Sequence, residues 1–146
     1  MNPQLVYLVQ TETTVGFLSQ NREKLSTSKQ RNKNQPFITC VDSFTMLKKF
    51  TRVPKRFKNI VRRSKKTTFI YPKGKAFRVI NDSIHLKFIK KLKWAYSSSA
   101  NLTLKKFEEN CAKQKADIIV ENSRGFFEST PSSIIMINSK KARRLR

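Results

Sequence analysis

The run "SSSAN", Ser97 to Asn101, sets three hydroxyls and an amide directly after the strand-forming residues Trp94, Ala95 and Tyr96. Hydroxyl donors, backbone N–H groups and an amide at a strand exit suit a phosphate or a sugar hydroxyl, because open α/β sheets bind ligands where strands end. The same stretch also reads as a serine-rich turn followed by a helix N-cap. Earlier, "SKQR" places Lys29 and Arg31 two apart, so an extended segment would point both cations one way. Neither lies on an apolar face, and removing either is expected to leave stability nearly unchanged. Other chemistries fail on supply. His85 is the one histidine and falls inside an amphipathic helix pattern, where it reads as a packing or surface residue. One histidine and two distant cysteines, Cys40 and Cys111, make neither a zinc site nor a Cys–His pair, so no metal held by protein ligands is expected. Gly16, Gly74 and Gly125 are isolated, which excludes a glycine-rich phosphate loop, and no nucleophile elbow is present. Catalysis by this chain must therefore rest on positioning and fixed charge.

Charge points to an anionic partner. Lys and Arg number 32 against 9 Asp and Glu, a formal net charge of +23. An AT-rich genome would raise Lys, but it would raise Glu as well, and Glu is scarce. No acidic residue occurs between Asp42 and Asp82, where Lys48, Lys49, Arg52, Lys55, Arg56, Lys58, Arg62, Arg63, Lys65 and Lys66 crowd together. Such a field attracts polyphosphates and makes their binding salt-dependent. Lys55, Arg56, Arg62, Arg63, Lys65 and Lys66 are the candidate RNA contacts. No apolar run approaches the roughly 20 residues that cross a bilayer. The first residues lack a basic n-region and a cleavage site. With two lone cysteines, this predicts a cytoplasmic protein with no membrane partner.

The elements that must position these residues alternate in type. "LVYLVQ" reads as a strand followed by a Thr-rich turn, and "NREKLSTSK" as a short helix or loop. "FITCV" reads as a buried strand, after which Asp42 or Ser43 caps the helix "SFTMLKKF". Pro54 suits the first turn of a second helix, with Val53, Phe57, Ile60 and Val61 on its apolar face. "TTFIY" and "AFRVI" flank "PKGK" as a hairpin. Asp82 caps "SIHLKFIKKL", in which Leu86, Ile89 and Leu92 face the core. The Trp94 strand, the serine run, a helix "LTLKKFEENCAKQK", the strand "DIIV", a polar loop and the strand "SIIMI" follow. The expected fold is α/β, a single domain over residues 1–146 with a twisted mixed sheet, flanking helices and an open basic concave face. A basic C-terminal tail is expected at about 139–146.

In order, "QTETTVGF", "SKQR", "TTFIY…AFRV", "SSSAN" and "TPSSIIMI" resemble the YrdC-like family, the threonylcarbamoyl-AMP synthases. Family members carry Pro-Thr-Asp/Glu-Thr-Val-Tyr-Gly-Leu, then Lys-x-Arg-Pro, an Arg-Val strand, Ser-x-Asn and a Pro-Ser-Thr-Ile-Val strand. The resemblance runs from about Leu5 to Ile137. Departures are Gln10 and Asn32 at family prolines, Val15 at a family aromatic, and Leu102, Thr103 and Leu104 where many relatives continue to a glycine.

The resemblance implies a reaction: L-threonine, bicarbonate and ATP give threonylcarbamoyl-adenylate and pyrophosphate, for threonylcarbamoyladenosine modification of tRNA. Mg²⁺ accompanies the ATP. Position by position, it implies that Lys29 and Arg31 grip ATP phosphates electrostatically and that Ser99, Asn101 and Ser132 contact the nucleotide. A late arginine, Arg144 or Arg146, joins them, and Arg146 is the one selected. It implies that Thr11 and Thr13 line a threonine pocket and that Arg78 meets the threonine carboxylate. Implied partners are tRNA or double-stranded RNA and other tRNA-modification proteins. Two alternatives stand beside this reading. One is a catalytically degenerate relative that binds tRNA or double-stranded RNA; the other is a small ribosome-associated basic protein that needs no ligand constellation.

Overall fold

The computed structural model describes residues 1–32, 34–101 and 106–146. The first apolar run forms β1 (Tyr7–Gln10), which pairs antiparallel with β2 (Val15–Ser19), Tyr7 opposite Leu18 and Gln10 opposite Val15. The helix α1 (Arg22–Lys29) starts where the Asn21 side chain accepts the Lys24 N–H, and ends at Gln30, whose φ of 54° is left-handed. These caps decide between helix and loop for a segment too polar to show a clear apolar stripe. Strand β3 (Ile38–Val41) leads to α2 (Phe44–Phe50), capped by the Ser43 hydroxyl on the Met46 N–H.

Pro54 precedes a single 3-10 turn, Lys55–Phe57, which runs into α3 (Lys58–Arg63). The expected apolar face is only partly used: Val53 and Val61 are buried, whereas Ile60 is 43% exposed. Strands β4 (Thr67–Ile70) and β5 (Ala76–Val79) form the expected antiparallel hairpin around Pro72–Gly74. Asp82 caps α4 (Ser83–Leu92) by accepting the His85 N–H. Then β6 (Trp94–Ser99) carries the whole serine triplet inside the strand, Ser97 pairing with both Leu18 and Ile38. The triplet is therefore strand, not turn: Ser97 is paired on both sides and Ser98 and Ser99 with β2, and this pairing overrides the turn preference of serine. Residues 102–105 of the expected helix "LTLKKFEENCAKQK" lie outside the described residues, and its remainder contains α5 (Glu109–Lys115). Strands β7 (Ile118–Val120), β8 (Ser133–Ile137) and β9 (Ala142–Arg144) complete the fold. β9 lies in what reads as a basic tail; it pairs antiparallel with β8, Met136 opposite Arg143.

Among the described residues the strands form one mixed sheet in the order β7-β1-β2-β6-β3-β5-β4-β8-β9. The chain is thus an α/β domain whose mixed sheet is flanked by helices. Alternation sorts the core onto two faces. On one, Cys40, Leu18, Ala95 and Ile80 pack under Phe88, Ile89 and Leu92 of α4. On the other, Val15, Phe17 and Phe37 pack with Leu25 of α1, and Val41, Phe69 and Phe77 with Leu47 of α2 and Val61 of α3. Each fully buried side chain such as Leu18 or Ile89 contributes roughly 1.5–3 kcal/mol. No described helix is long and apolar enough to cross a membrane.

Candidate functional site

The face covered by α4 opens two residues further along the strands. On β3, Cys40 lies beneath α4 and Ile38 lines a cleft; on β6, Ala95 is covered while Ser97 and Ser99 line it; on β2, Leu18 is covered and Gly16 lines it. The cleft holds about 380 Å³, and its lining also includes Thr11, Thr13, Arg78, Asn101, Glu128, Ser132 and Arg146. Gly16 fits closely there: a Cβ would stand 3.1 Å from the Thr11 methyl and 3.2 Å from the Ser98 carbonyl, so either neighbour would have to shift to admit one. Its absence lets the threonine turn lie close against β6.

Arg78, only 6% exposed, is fixed from three strand ends. Its Nε donates to Thr68 Oγ1 (3.0 Å), its Nη2 to Ser132 Oγ (2.9 Å) and its Nη1 to Thr13 Oγ1 (3.4 Å). Glu12 Oε1 lies 3.9 Å from Nη1. Burial raises the Glu12 carboxyl above the usual range while Arg78 pulls it back. The turn is closed by Thr11, whose Oγ1 donates to the Thr14 carbonyl (2.6 Å) and lies 3.3 Å from Thr13 Oγ1. These contacts give a cleft floor with an oriented guanidinium ringed by hydroxyls, a geometry that suits a carboxylate.

At the β6 exit, Lys29 reaches from the end of α1. Its Nζ lies within hydrogen-bond distance of four oxygens, which share its three N–H groups: the Ser99 carbonyl (2.8 Å), Ser99 Oγ (3.0 Å), Asn101 Oδ1 (2.9 Å) and the Asn101 carbonyl. Burial, aided by the charge of Arg31, lowers its pKa to about 8, so it remains cationic at neutral pH. Arg31 goes elsewhere. Gln30 in its left-handed conformation turns the chain, so the expectation of a single direction fails. The Arg31 guanidinium lies 4.5 Å from the Phe37 ring centroid and donates to the Pro36 carbonyl (2.8 Å). Phe37 belongs to the face opposite the cleft, and Arg31 is not among the cleft-lining residues.

Ser132 is buried and accepts from Arg78, and Arg146 donates through Nε to the Ser132 carbonyl (2.8 Å). Arg144 instead meets Ser133 Oγ (3.4 Å) and the Arg146 carbonyl (3.2 Å), outside the lining. Of the expected ligand contacts, Thr11, Thr13, Arg78, Ser99, Asn101, Ser132 and Arg146 line one cleft, with Lys29 braced behind it and Arg31 apart. Lys55, Arg56, Arg62, Arg63, Lys65 and Lys66 are exposed. Val61 packs α3 on the other face of the sheet, which carries Arg62 and Arg63 away from the cleft; Lys66 does not line the cleft either, but its charge reaches Glu12 beside Arg78.

Three residues escaped the sequence reading. Gln10, fully buried, accepts the Phe127 N–H at Oε1 (2.9 Å) and donates to the Thr11 carbonyl (3.2 Å), tying the loop before β8 to the threonine turn. Its signal was an amide ending an apolar strand. Thr68 orients Arg78 but read only as part of a β-branched hairpin. Glu128 lines the cleft and accepts the Phe107 N–H (3.1 Å), and no motif marks it.

Comparisons with known proteins agree with this architecture. The Sua5/YciO/YrdC family model, described as "telomere recombination", matches residues 5–146. No curated protein matches. Among solved structures, P. abyssi Sua5 complexed with L-threonine is 19% identical with a TM-score of 0.81, over 97% of this chain and 50% of that one. E. coli YciO is 15% identical with a TM-score of 0.77, over 98% and 82%. Full-length HypF in a phosphate- and nucleotide-bound form is 15% identical with a TM-score of 0.76, over 97% and 26%. The chain spans about half the length of the Sua5 chains, and at these identities the likeness shows the fold. The family match over nearly the whole chain and the shared fold together place this protein in the Sua5/YciO/YrdC family.

Proposed function

We propose that the cleft is the reaction centre of a threonylcarbamoyl-AMP synthase acting in tRNA modification. The observation that carries this reading is Arg78, a buried cation at the cleft floor whose guanidinium is oriented by Thr13, Thr68 and Ser132. A neighbouring structure of the same fold holds L-threonine. In this reading Arg78 takes the threonine carboxylate, with the Thr11 and Thr13 hydroxyls beside it. Ser99, Asn101, Ser132 and Arg146 take the nucleotide. The threonine amine adds to the carbon of CO2 formed from bicarbonate and loses a proton. A carbamate oxygen then attacks the α-phosphorus of ATP. The bond to the bridging oxygen breaks, and pyrophosphate leaves.

Both nucleophiles come from the substrates, so the chain needs only to orient them, exclude water and balance phosphate charge. Lys29 serves from behind, holding Ser99 and Asn101 in place and adding a positive charge. Among the described residues no group of three or more His, Cys, Asp or Glu could hold a metal ion. In this reading Mg²⁺ enters with the ATP phosphates, as part of that substrate. Incubation with ATP, bicarbonate and labelled threonine tests the reading: it requires labelled threonylcarbamoyl-AMP and pyrophosphate.

A catalytically degenerate relative that binds tRNA or double-stranded RNA is the second reading. Val15, where the resemblance has an aromatic ring, favours it: its side chain is buried with Phe17 and Leu25 on the other face of the sheet, so this position gives the cleft no ring. Absence of product with tRNA binding intact would select it.

A further inference from the structure

The face of the sheet away from the cleft has an opening of its own, about 320 Å³, between α1 and α2. Alternation makes it independent of the cleft: Ile38, Ser97 and Arg78 face one way, and Phe37, Tyr96 and Phe77 face the other. Phe50 of α2 also lines the opening and joins the group through Phe77 and Trp94. Phe50 lies 5.6 Å from Phe77 and 5.3 Å from Trp94, Trp94 lies 5.2 Å from Tyr96, and Phe37 lies 6.4 Å from Tyr96. The result is one continuous aromatic wall. Phe50 and Tyr96 are only half-buried, so part of that wall is open to a ligand.

The remaining charged lining is entirely cationic: Arg22 from α1, and Lys73 and Lys75 from the hairpin turn. Lys73 and Gly74 are both left-handed, with φ of 73° and 75°, a backbone that a lysine seldom adopts. Among the described residues none of the ion pairs involves Arg22, Arg31, Lys73 or Lys75. Arg22 and Arg31 nevertheless sit over the same Phe37 ring, at 5.9 and 4.5 Å from its centroid. Burial and the charge of Arg22 lower the Arg31 pKa, as expected for like charges gathered without a carboxylate. Arg22 donates to the Gln35 carbonyl (3.0 Å), so these two arginines have carbonyl but, among the described residues, no carboxylate partners. An aromatic wall rimmed by cations without carboxylate partners is the recognition chemistry of single-stranded nucleic acid, in which rings stack on bases and cations follow phosphates. The size falls within the range of ligand pockets.

We propose that this opening binds an unpaired nucleotide of a single-stranded RNA segment, its base against the Tyr96 and Phe50 rings and its flanking phosphates at Arg22, Lys73 and Lys75. A base inside a duplex is already stacked and paired, so duplex RNA does not enter.

The test uses the full chain, a short unstructured RNA oligonucleotide at low salt, and two readouts: anisotropy of the labelled RNA and emission of Trp94, the single tryptophan. Binding should quench Trp94, because its ring touches both stacking residues. An abasic oligonucleotide of the same length should bind about tenfold more weakly or worse, without quenching. A duplex of that length should not quench either. Lys73 and Lys75 are exposed on the turn, so K73E/K75E should keep the wild-type circular dichroism and lose at least about tenfold in affinity. K73Q/K75Q should lower the salt slope by about 1.4, at roughly 0.7 per phosphate. The proposal is overturned if the oligonucleotide does not bind, if it binds without changing Trp94 emission, if abasic or duplex RNA quenches equally, or if K73E/K75E binds like wild type. Neither ATP nor threonine enters the experiment, so its outcome is independent of the cleft.

Discussion

Arg78 combines two roles that substitution can separate. It ties three strand ends together through hydroxyls, and it presents a guanidinium to the cleft. Arg78→Lys keeps the charge but loses the planar fork, so threonine affinity should fall by more than tenfold, about 1.5–3 kcal/mol for a charge-assisted contact. Calorimetric titration with threonine checks this, and unchanged affinity removes Arg78 as the carboxylate anchor. His85 makes a different prediction. It is buried with neither ring nitrogen hydrogen-bonded, and burial, with Arg78 and Arg124 nearby, lowers its pKa from 6.5 to about 3 against the opposing pull of Asp82. The unfolded chain protonates near 6.5 while the fold keeps the ring neutral. Stability is therefore full above about 6.5 and falls as the pH drops toward about 3, by at most about 1.4 kcal/mol per pH unit. His85→Leu should flatten that acid limb in urea unfolding series; a limb of unchanged slope would show that other groups produce it. The helix pattern pointed to His85 as a packing or surface residue, but its unpaired nitrogens depend on neighbours distant in sequence.

Elements decide which motif residues meet. Lys29 and Asn101, far apart in the chain, come together because α1 ends beside the exit of β6. Arg31, two residues from Lys29, does not join them because the left-handed Gln30 ends the helix. A reading of "SKQR" as extended could not see that cap, since a glutamine gives no signal for left-handed backbone. The caps at Ser43 and Asp82 were legible, because short polar side chains before apolar runs announce themselves. The serine triplet was not, because its conformation is set by pairing with β2, joined by β3 at Ser97. The Lys29 contacts argue against the expectation that removing Lys29 leaves stability nearly unchanged. Lys29→Ala removes the Nζ donor from the Ser99 and Asn101 oxygens, while Ser99 Oγ still donates to Asn101 Oδ1, and should cost about 1–3 kcal/mol in chemical denaturation. A variant as stable as wild type would show that solvent replaces Nζ there, and would confine Lys29 to an electrostatic part.

At the scale of the whole molecule, the sheet divides labour between its faces. The cleft side is polar, hydroxyl-rich and built around Arg78, whereas α2 and α3 cover the other side and carry much of the charge excess outward. Composition announced the +23 charge but not where it would lie. That depended on Val61 and Leu47 packing against Phe69 and Phe77, which places the exposed Arg62 and Arg63 of α3 away from the ligand cleft, whereas the charge of Lys66 still reaches Glu12. Arg62 is further held 4.7 Å over the Phe44 ring. Cations spread over a surface behind the cleft cannot all serve one ATP, and neutralising several phosphates of a folded RNA needs such spacing. Shape and backbone contacts should dominate, with little sequence preference. Binding of tRNA should therefore weaken steeply with salt, by a slope of roughly -0.7 to -0.9 per neutralised phosphate. Replacing Arg62, Arg63, Lys65 and Lys66 together with Gln should flatten that slope and leave ATP and threonine affinity nearly unchanged, because no cleft-lining residue is altered. Filter-binding titrations across a salt series measure the first effect and calorimetry the second. If tRNA does not bind even at low salt, this face is a solvated surface; if the variant instead loses ATP binding, the two faces are coupled in a way their packing gives no reason to expect.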